Sequence, residues 1–164
     1  MGIRGWFFPI ALAVVLLSQG CAPKMVKTVE FGNPRAAMRV LIASEASDFK
    51  KAVIDQVVAG YDRKDLYFKV TDLQNLADET ASDFAAVIII NSCVAWQLNP
   101  RVNAFLNKTE MPANIILLTT AGDQDWLAGI DGVDAITAAS LPADIERTAE
   151  KLKVKLGALI HAAA

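Results

Sequence analysis

The sequence predicts an α/β domain over residues 39–164, in which five parallel strands form one sheet between two layers of helices, a three-layer sandwich. Short apolar runs alternate along the chain with segments of helical periodicity, a pattern typical of parallel strands joined by crossover helices. The most apolar run of this region, residues 87–90, is uninterrupted and is followed by small polar residues. We expect this third run to form the central strand, buried on both faces.

The first half of the domain supplies two strands and a helix. Residues 40–43 are predicted to form the first strand, and Ser47 is the expected N-cap of a helix that ends at Gly60 in the usual C′ position. Residues 67–70 are predicted to form the second strand. The polar stretch after it, residues 72–83, is long enough for only a turn or two of helix.

The second half continues the alternation after the central strand. Asn99 as N-cap and Pro100 at the first helical position begin a helix, and residues 115–118 are predicted to form the fourth strand. Residues 135–137 are expected to form a shorter fifth strand. The last helix follows Pro142, with acidic residues early and lysines late, an order that suits the helix dipole.

The first 20 residues have the composition of an export signal. Arg4 and the α-amino group give a weakly positive start, and residues 6–17 are apolar throughout. This run is shorter than the roughly 20 apolar residues that a membrane-spanning helix needs, so a stable membrane span is the weaker interpretation. We therefore expect residues 1–20 to be a signal peptide.

A cysteine, Cys21, follows a segment that resembles the lipobox of bacterial lipoproteins, although Ser18 and Gln19 depart from the usual pattern. In that family the cysteine carries a diacylglycerol thioether and an N-acyl chain such as palmitate, so the resemblance implies lipidation of Cys21 and a membrane-tethered protein. By the family's sorting rule, Ala22 implies the outer membrane, facing the periplasm of the cell envelope. Two alternatives are cleavage after Ala22, which would place Pro23 beside the cut, and an unmodified Cys21.

Residues 21–38 are expected to be a tether between the lipid and the domain, with turn residues at 32–34. This interpretation divides the chain into a signal peptide (1–20), a tether (21–38) and a folded domain (39–164). The alternation of apolar and polar side chains across residues 25–31 leaves a second interpretation open, in which part of the segment forms a short edge strand.

Three stretches of the domain resemble the flavodoxin-like family. Residues 82–92 are similar to its approach into the third strand, an acidic-aromatic pair followed by an aliphatic run and a small polar turn. Trp96 and the Pro-x-Val-x-x-Phe-Leu pattern from Pro100 resemble the loop and helix that follow, and residues 119–122 resemble the loop after the fourth strand. The resemblance covers roughly residues 39–160 and implies the strand order 2-1-3-4-5.

Flavodoxins bind FMN at the carboxyl edge of the sheet, so the resemblance implies candidate cofactor-binding residues on the loops at that edge. These residues are Ser44, Ser47, Asn91, Ser92, Trp96, Thr119, Thr120, Gly122 and Trp126. The two tryptophans would form aromatic walls around a flat ring. The other interpretation is that they cover the ends of a small core.

The predicted phosphate loop departs from the family pattern. Residues 44–49 lack the glycine that lets backbone N–H groups approach a phosphate, and they carry two carboxylates, Glu45 and Asp48. At about 6 Å and an effective dielectric constant near 20, each carboxylate would cost a bound phosphate charge roughly 2–3 kcal/mol. We therefore expect no cofactor, and an altered, low-affinity site for FMN is the alternative.

The other candidate residues support no catalytic constellation and no metal site. His161, the single histidine, lies three residues from the C-terminus, and Cys93 has no histidine or lysine expected beside it, so we predict a buried, unreactive thiol. Asn91 stands where a receiver domain needs a phosphate-accepting aspartate. Without Arg4, the exported part has 15 basic and 18 acidic residues, a net charge of −3 that gives no reason to expect nucleic acid.

Two functions remain open at this point. The first is a non-catalytic envelope lipoprotein whose flavodoxin-like domain binds another envelope protein as an accessory subunit. The alternative, which the family resemblance implies, is an FMN-binding redox protein that transfers electrons.

Overall fold

One mixed sheet forms the centre of the fold in a computed structural model of the chain, which describes residues 24–61, 65–110, 112–122 and 129–164. Within these ranges its strands are β1 (Val29–Gly32), β2 (Met38–Ser44), β3 (Leu66–Asp72), β4 (Ala86–Ser92), β5 (Ile115–Thr120) and β6 (Asp134–Ala138). The α-helices in the same ranges are α1 (Asp48–Ala59), α2 (Pro100–Lys108) and α3 (Ile145–Ala163). The predicted leader, the lipidation site Cys21 and the candidate Trp126 lie outside the described residues.

The predicted α/β class is confirmed, and the predicted sheet is corrected by one additional strand. The spatial order is β1-β3-β2-β4-β5-β6, six strands where five were expected, and the five that correspond to the predicted strands, β2 to β6, have the implied order 2-1-3-4-5 among themselves. The strands from β2 to β6 are parallel to their neighbours. The difference arises from β1, which pairs antiparallel with β3 and forms the edge of the sheet.

β1 lies within residues 21–38, the segment that the first interpretation assigned to a tether. The alternative interpretation, an edge strand, is the one that the structure shows. Two hydrogen bonds attach the residues before it to β3: the Val26 N–H donates to the Asp72 carboxylate at 2.8 Å, and the hydroxyls of Thr28 and Thr71 lie 2.9 Å apart. The segment pairs because the edge of β3 offers backbone donors and acceptors to a neighbouring chain.

Two apolar layers separate the sheet from its helices. Helices α1 and α3 pack on one face, against side chains such as Val40 and Ile88, and α2 packs on the other, against Leu41 and Ile89. Successive side chains of a strand point to opposite faces, so each central strand contributes to both layers. The polar connection after β3 forms two short 3₁₀ segments, Leu73–Asp78 and Ala81–Asp83, in place of a full helix.

The helix ends follow the sequence predictions with one exception. The Ser47 hydroxyl caps α1 by accepting from the Lys50 N–H at 3.1 Å, and the Asn99 side chain caps α2 by accepting from a first-turn N–H at 3.0 Å. Gly60 ends α1, but with φ of −77° instead of the left-handed conformation expected at C′. The side chain of Lys153 in α3 packs close to this glycine, and a Cβ here would lie 2.7 Å from its Cδ.

Candidate functional site at the carboxyl edge of the sheet

The carboxyl ends of β2, β4 and β5 lie side by side because these strands are parallel neighbours in the sheet. The register places Ser44, the last residue of β2, beside Ile90 of β4. The loop after β2, residues 45–47, and the loop after β4, residues 93–99, therefore meet at the edge where open α/β sheets bind ligands.

The carboxylate of Glu45 lies between these two loops. Its Oε2 accepts hydrogen bonds from the Nζ of Lys50 at 2.6 Å and from the backbone N–H of Ser92 at 2.9 Å. Its Oε1 accepts a hydrogen bond from the Nδ2 of Asn99 at 2.9 Å. Three donors from α1, β4 and the start of α2 thus converge on one carboxylate, as donors converge on a bound anion. We call Glu45, Lys50, Ser92 and Asn99 the Glu45 cluster.

Lys50 supplies the positive charge of the Glu45 cluster. It is only 3% exposed, which is rare for a lysine because an unpaired buried ammonium group is very costly. Its Nζ donates to Glu45 and also to the hydroxyl of Ser92 at 2.7 Å, so the buried charge is both paired and hydrogen-bonded. The Lys50–Glu45 pair has no net charge. Glu45 therefore neutralises the ammonium group of Lys50, which would otherwise attract a bound phosphate.

The Glu45 carboxyl has a pKa below its ordinary value of 4.5. Partial burial is the largest single influence and acts in the opposite direction, raising the pKa because it disfavours the charged form. The hydrogen bonds from Lys50, Ser92 and Asn99, together with the charge of Lys50, outweigh that effect. Glu45 is therefore an anion at neutral pH.

The two serines of the predicted phosphate loop make local contacts within the protein. Ser44 is fully buried, and its hydroxyl donates to the backbone carbonyl of Glu45 at 2.9 Å. Ser47 is exposed, and its hydroxyl accepts the N-cap hydrogen bond of α1. In the predicted phosphate loop, the carboxylate of Glu45 therefore occupies the position at which the converging donors could otherwise hold an external anion.

Four other predicted residues lie together at the ends of β4 and β5. The Nδ2 of buried Asn91 donates to the hydroxyl of Thr119 at 3.0 Å, and its Oδ1 accepts from the N–H of Asn99 at 3.5 Å. The hydroxyls of Ser92 and Thr120 lie 3.5 Å apart. The structure brings these predicted residues together, but Asn91 and the two threonines are buried and their polar atoms bond mainly to protein groups.

Trp96 lies on a two-residue hairpin turn in the loop after β4. Val94 and Gln97 exchange backbone hydrogen bonds of 3.1 and 3.0 Å across this turn. Its central residues, Ala95 and Trp96, have φ values of 51° and 61°, the geometry of a type I′ turn that Asn and Gly usually form. Each non-glycine residue in this conformation costs roughly 1–2 kcal/mol. The strained turn leaves Trp96 66% exposed.

The remaining predicted residues are spread around the same edge. Gly122 is exposed after β5, with no atom within 4 Å of the position that a Cβ would occupy. The second aromatic wall, Trp126, stays a prediction because it lies outside the described residues. Cys93 is partly exposed, not buried as predicted, and is a free thiol. His161 is exposed in the last turn of α3.

In the part of the chain that the structure describes, no group of three or more His, Cys, Asp or Glu side chains is placed to hold a metal ion. Within the same residues, the helices are all too short or too polar to cross a bilayer.

From the sequence, Glu45 is only a repulsive charge, and its partners Lys50 and Asn99 are not predicted. A partial signal was present, because Glu45 and Lys50 lie five residues apart across a predicted N-cap and Asn99 was itself a predicted N-cap. Which way the three side chains point depends on the packing of three separate elements, and the sequence pattern does not contain that information.

Comparisons with known proteins support the fold. No protein-family profile and no curated protein matches the chain. Among solved structures, the chain is similar to a flavodiiron core from Synechocystis, with a TM-score of 0.52 and 12% identity over 78% of this chain and 37% of that one. It is also similar to an archaeal flavodoxin (TM-score 0.49, 12% identity, 76% and 100% coverage). A third similar structure is general stress protein 14 of Treponema denticola in complex with FMN (TM-score 0.45, 16% identity, 74% and 99% coverage). The likeness to the flavodiiron core, at 12% identity, shows the fold of the domain, which is flavodoxin-like.

Proposed function

We propose that this protein is a lipid-anchored component of the bacterial cell envelope whose flavodoxin-like domain is non-catalytic and binds a partner protein as an accessory module. The anchor is an acylated Cys21, and the domain faces the periplasm from the outer membrane. The lipobox resemblance before Cys21 supports the anchor. The Glu45 cluster supports the absence of catalysis.

The Glu45 cluster is the observation that carries the proposal, because it opposes binding of a phosphate group. A phosphate at the Glu45 position would have to displace the carboxylate from all three of its donors. A phosphate bound beside Glu45, about 4 Å away, would experience a repulsion of about 4 kcal/mol per pair of unit charges at an effective dielectric constant of 20. Lys50 can compensate only one of the two anions. The geometry therefore favours a domain that holds no FMN.

Protein expressed with its own leader and purified from bacterial membranes tests both parts of this proposal. The mass of the N-terminal peptide is expected to show a diacylglyceryl group and an acyl chain on Cys21, and an unmodified cysteine would refute the anchor. The same sample is expected to be colourless. A stoichiometric flavin absorbance spectrum would refute the non-catalytic function.

A second candidate function is FMN-dependent electron transfer, and the Trp96 turn favours it. Backbone strain of this kind is often retained at ligand sites, and an exposed indole offers a stacking surface for a flat ring. The flavodoxin-like fold fits this candidate at least as well as the first. The chemistry of the loop after β2 therefore decides between the two functions.

Fluorescence titrations with FMN and riboflavin separate the two functions. The first predicts no saturable tryptophan quenching by either compound, whereas the second predicts saturable quenching by FMN in the wild-type protein. Glu45→Gly, which removes the carboxylate and supplies a glycine, should strengthen FMN binding under the second function. The matched control Asp55→Gly, on the exposed side of α1, should not. Equal binding of riboflavin and FMN would show a ring site without a phosphate site and would contradict both proposals as stated.

A further inference from the structure

We propose that the carboxyl edge of the sheet faces the bilayer and that the surface formed by Lys24, Met25, Lys27 and Val29 binds anionic lipid headgroups. We call these four residues the N-terminal surface. The proposal rests on the lipid anchor of the proposed function and adds to it the orientation of the domain and the class of lipid that it contacts.

The described chain enters the fold at the carboxyl edge, beside the Glu45 cluster. The Val26 N–H donates to the carboxylate of Asp72, the last residue of β3. Asp72 lies in register with Ser44, which directly precedes Glu45. β1 then runs antiparallel to β3, away from this edge, with Val29 opposite Val70. Residues that precede Val26 therefore join the domain at its carboxyl edge.

The connection to the anchor is short. Cys21 lies five residues before Val26, a separation of at most about 18 Å in a fully extended chain. A domain of this length has a radius of gyration of about 14 Å, so it is more than 28 Å across. The connection cannot reach round the domain to its opposite edge. A lipid on Cys21 that is inserted in a bilayer therefore holds the carboxyl edge near the headgroups.

The N-terminal surface has the chemistry of a membrane-binding patch. It lines one side of a mostly apolar groove of about 660 Å³ that lies between the first described residues and α1. Met25 is 54% exposed and Val29 is 43% exposed. Lys24 and Lys27 form no ion pair among the described residues. Lysines beside exposed apolar side chains are the combination that binds anionic bilayer surfaces.

The acidic residues on the other side of the groove do not cancel this charge. Glu45 is paired with Lys50, and Asp55 is paired with Lys51 at 2.6 Å. Asp48 is the remaining acidic residue of the groove. Counting Lys50, four lysines stand against three acidic residues, and the lysines without an ion-pair partner are the two of the N-terminal surface.

Hydrogen exchange of the acylated full chain in vesicles tests this orientation. The protein, expressed with its own leader and purified from membranes, is reconstituted in vesicles of phosphatidylcholine with or without phosphatidylglycerol. We expect the peptide covering residues 24–31 to exchange about fivefold more slowly, or slower still, when phosphatidylglycerol is present. Lys24→Glu combined with Lys27→Glu should abolish the difference. The matched control, Arg35→Glu combined with Lys151→Glu, reverses two exposed charges outside the groove, the first of them at the opposite edge of the sheet, and should preserve it.

The mass of the peptide containing Cys21, measured on the same sample, distinguishes failure of this proposal from failure of the anchor. An unmodified Cys21 with lipid-dependent protection would refute the anchor and support the surface. An acylated Cys21 with equal exchange in both vesicle types would overturn the surface. Protection that is already complete in detergent solution would overturn it too, because the groove would then be covered by the protein's own acyl chain or by a second copy.

Discussion

Replacing Glu45 with alanine removes the anion on which three donors converge and leaves Lys50 buried without its partner. Loss of one member of a buried ion pair typically costs 3–5 kcal/mol because the remaining charge is uncompensated. The Glu45 side chain is 27% exposed, so water partly screens the pair and we expect the lower end of that range, about 3 kcal/mol. The free energy of unfolding is measured by urea titration at pH 7.

Two variants control for side-chain loss and for charge. Asp55→Ala removes a pair of the same length, 2.6 Å, whose side chains are 75% and 58% exposed, and it should cost at most about 0.5 kcal/mol. Glu45→Gln keeps the shape and one acceptor but not the charge, so it should cost about 1–2 kcal/mol.

Added anions provide a second readout of the same variant. The Nζ of Lys50, the N–H of Ser92 and the Nδ2 of Asn99 remain as donors in Glu45→Ala, and formate or acetate should recover part of the lost stability there but not in the wild-type protein. A loss no larger than that of Asp55→Ala, with no recovery by either anion, would refute the stabilising role of the cluster. The cluster would then give no reason against a phosphate at this position.

Two further predictions concern pH and the Trp96 turn. The folded-state pKa of Glu45 lies below its ordinary value of 4.5, so the unfolded chain binds more protons than the folded chain at acidic pH. The contribution of Glu45 to stability is therefore present above the unfolded-state pKa and is lost as the pH falls through the folded-state pKa. The urea midpoint of the wild-type protein should therefore fall more steeply between roughly pH 5 and pH 3 than that of Glu45→Gln, and parallel curves would contradict this. Ala95→Gly should raise the free energy of unfolding by up to about 1 kcal/mol, because glycine adopts the left-handed conformation without strain. The control Ala104→Gly, at an exposed position inside α2, should lower the free energy of unfolding by about 1 kcal/mol, because glycine destabilises a helix interior. Equal losses at both positions, measured by the same titration, would argue against the strained turn.

The core strands could be predicted from the sequence because each is a nearly continuous apolar run between polar segments. Residues 87–90 and 115–118 are buried on both faces, and burial on both faces is what such runs indicate. β1 was harder to predict because only one side of it packs on the fold and most of its residues are exposed. Whether such a segment pairs depends on the free edge of β3, which is a property of the assembled sheet.

The candidate site was predictable in position but not in chemistry. Parallel strands bring their following loops to one edge, so the family resemblance placed most of the polar candidates correctly near one another. The hydrogen-bonding role of Glu45 could not be predicted, because it depends on the direction in which the side chain points. Its partners Ser92 and Asn99 lie 47 and 54 residues away along the chain. Only in the folded protein does the Glu45 carboxylate, which the sequence presents as a repulsive charge beside a phosphate, contact three hydrogen-bond donors.

The pairing of β1 with β3 also affects the colloidal behaviour of the protein. Without β1, the seven residues of β3 would form an open edge whose backbone groups could pair with a strand of another molecule. β1 covers that edge and presents a shorter one of four residues, which includes the charged side chain of Glu30. Short, charged edges are the features that natural sheets use against aggregation. The strand that connects the fold to its N-terminus thus also protects the sheet from edge-to-edge association.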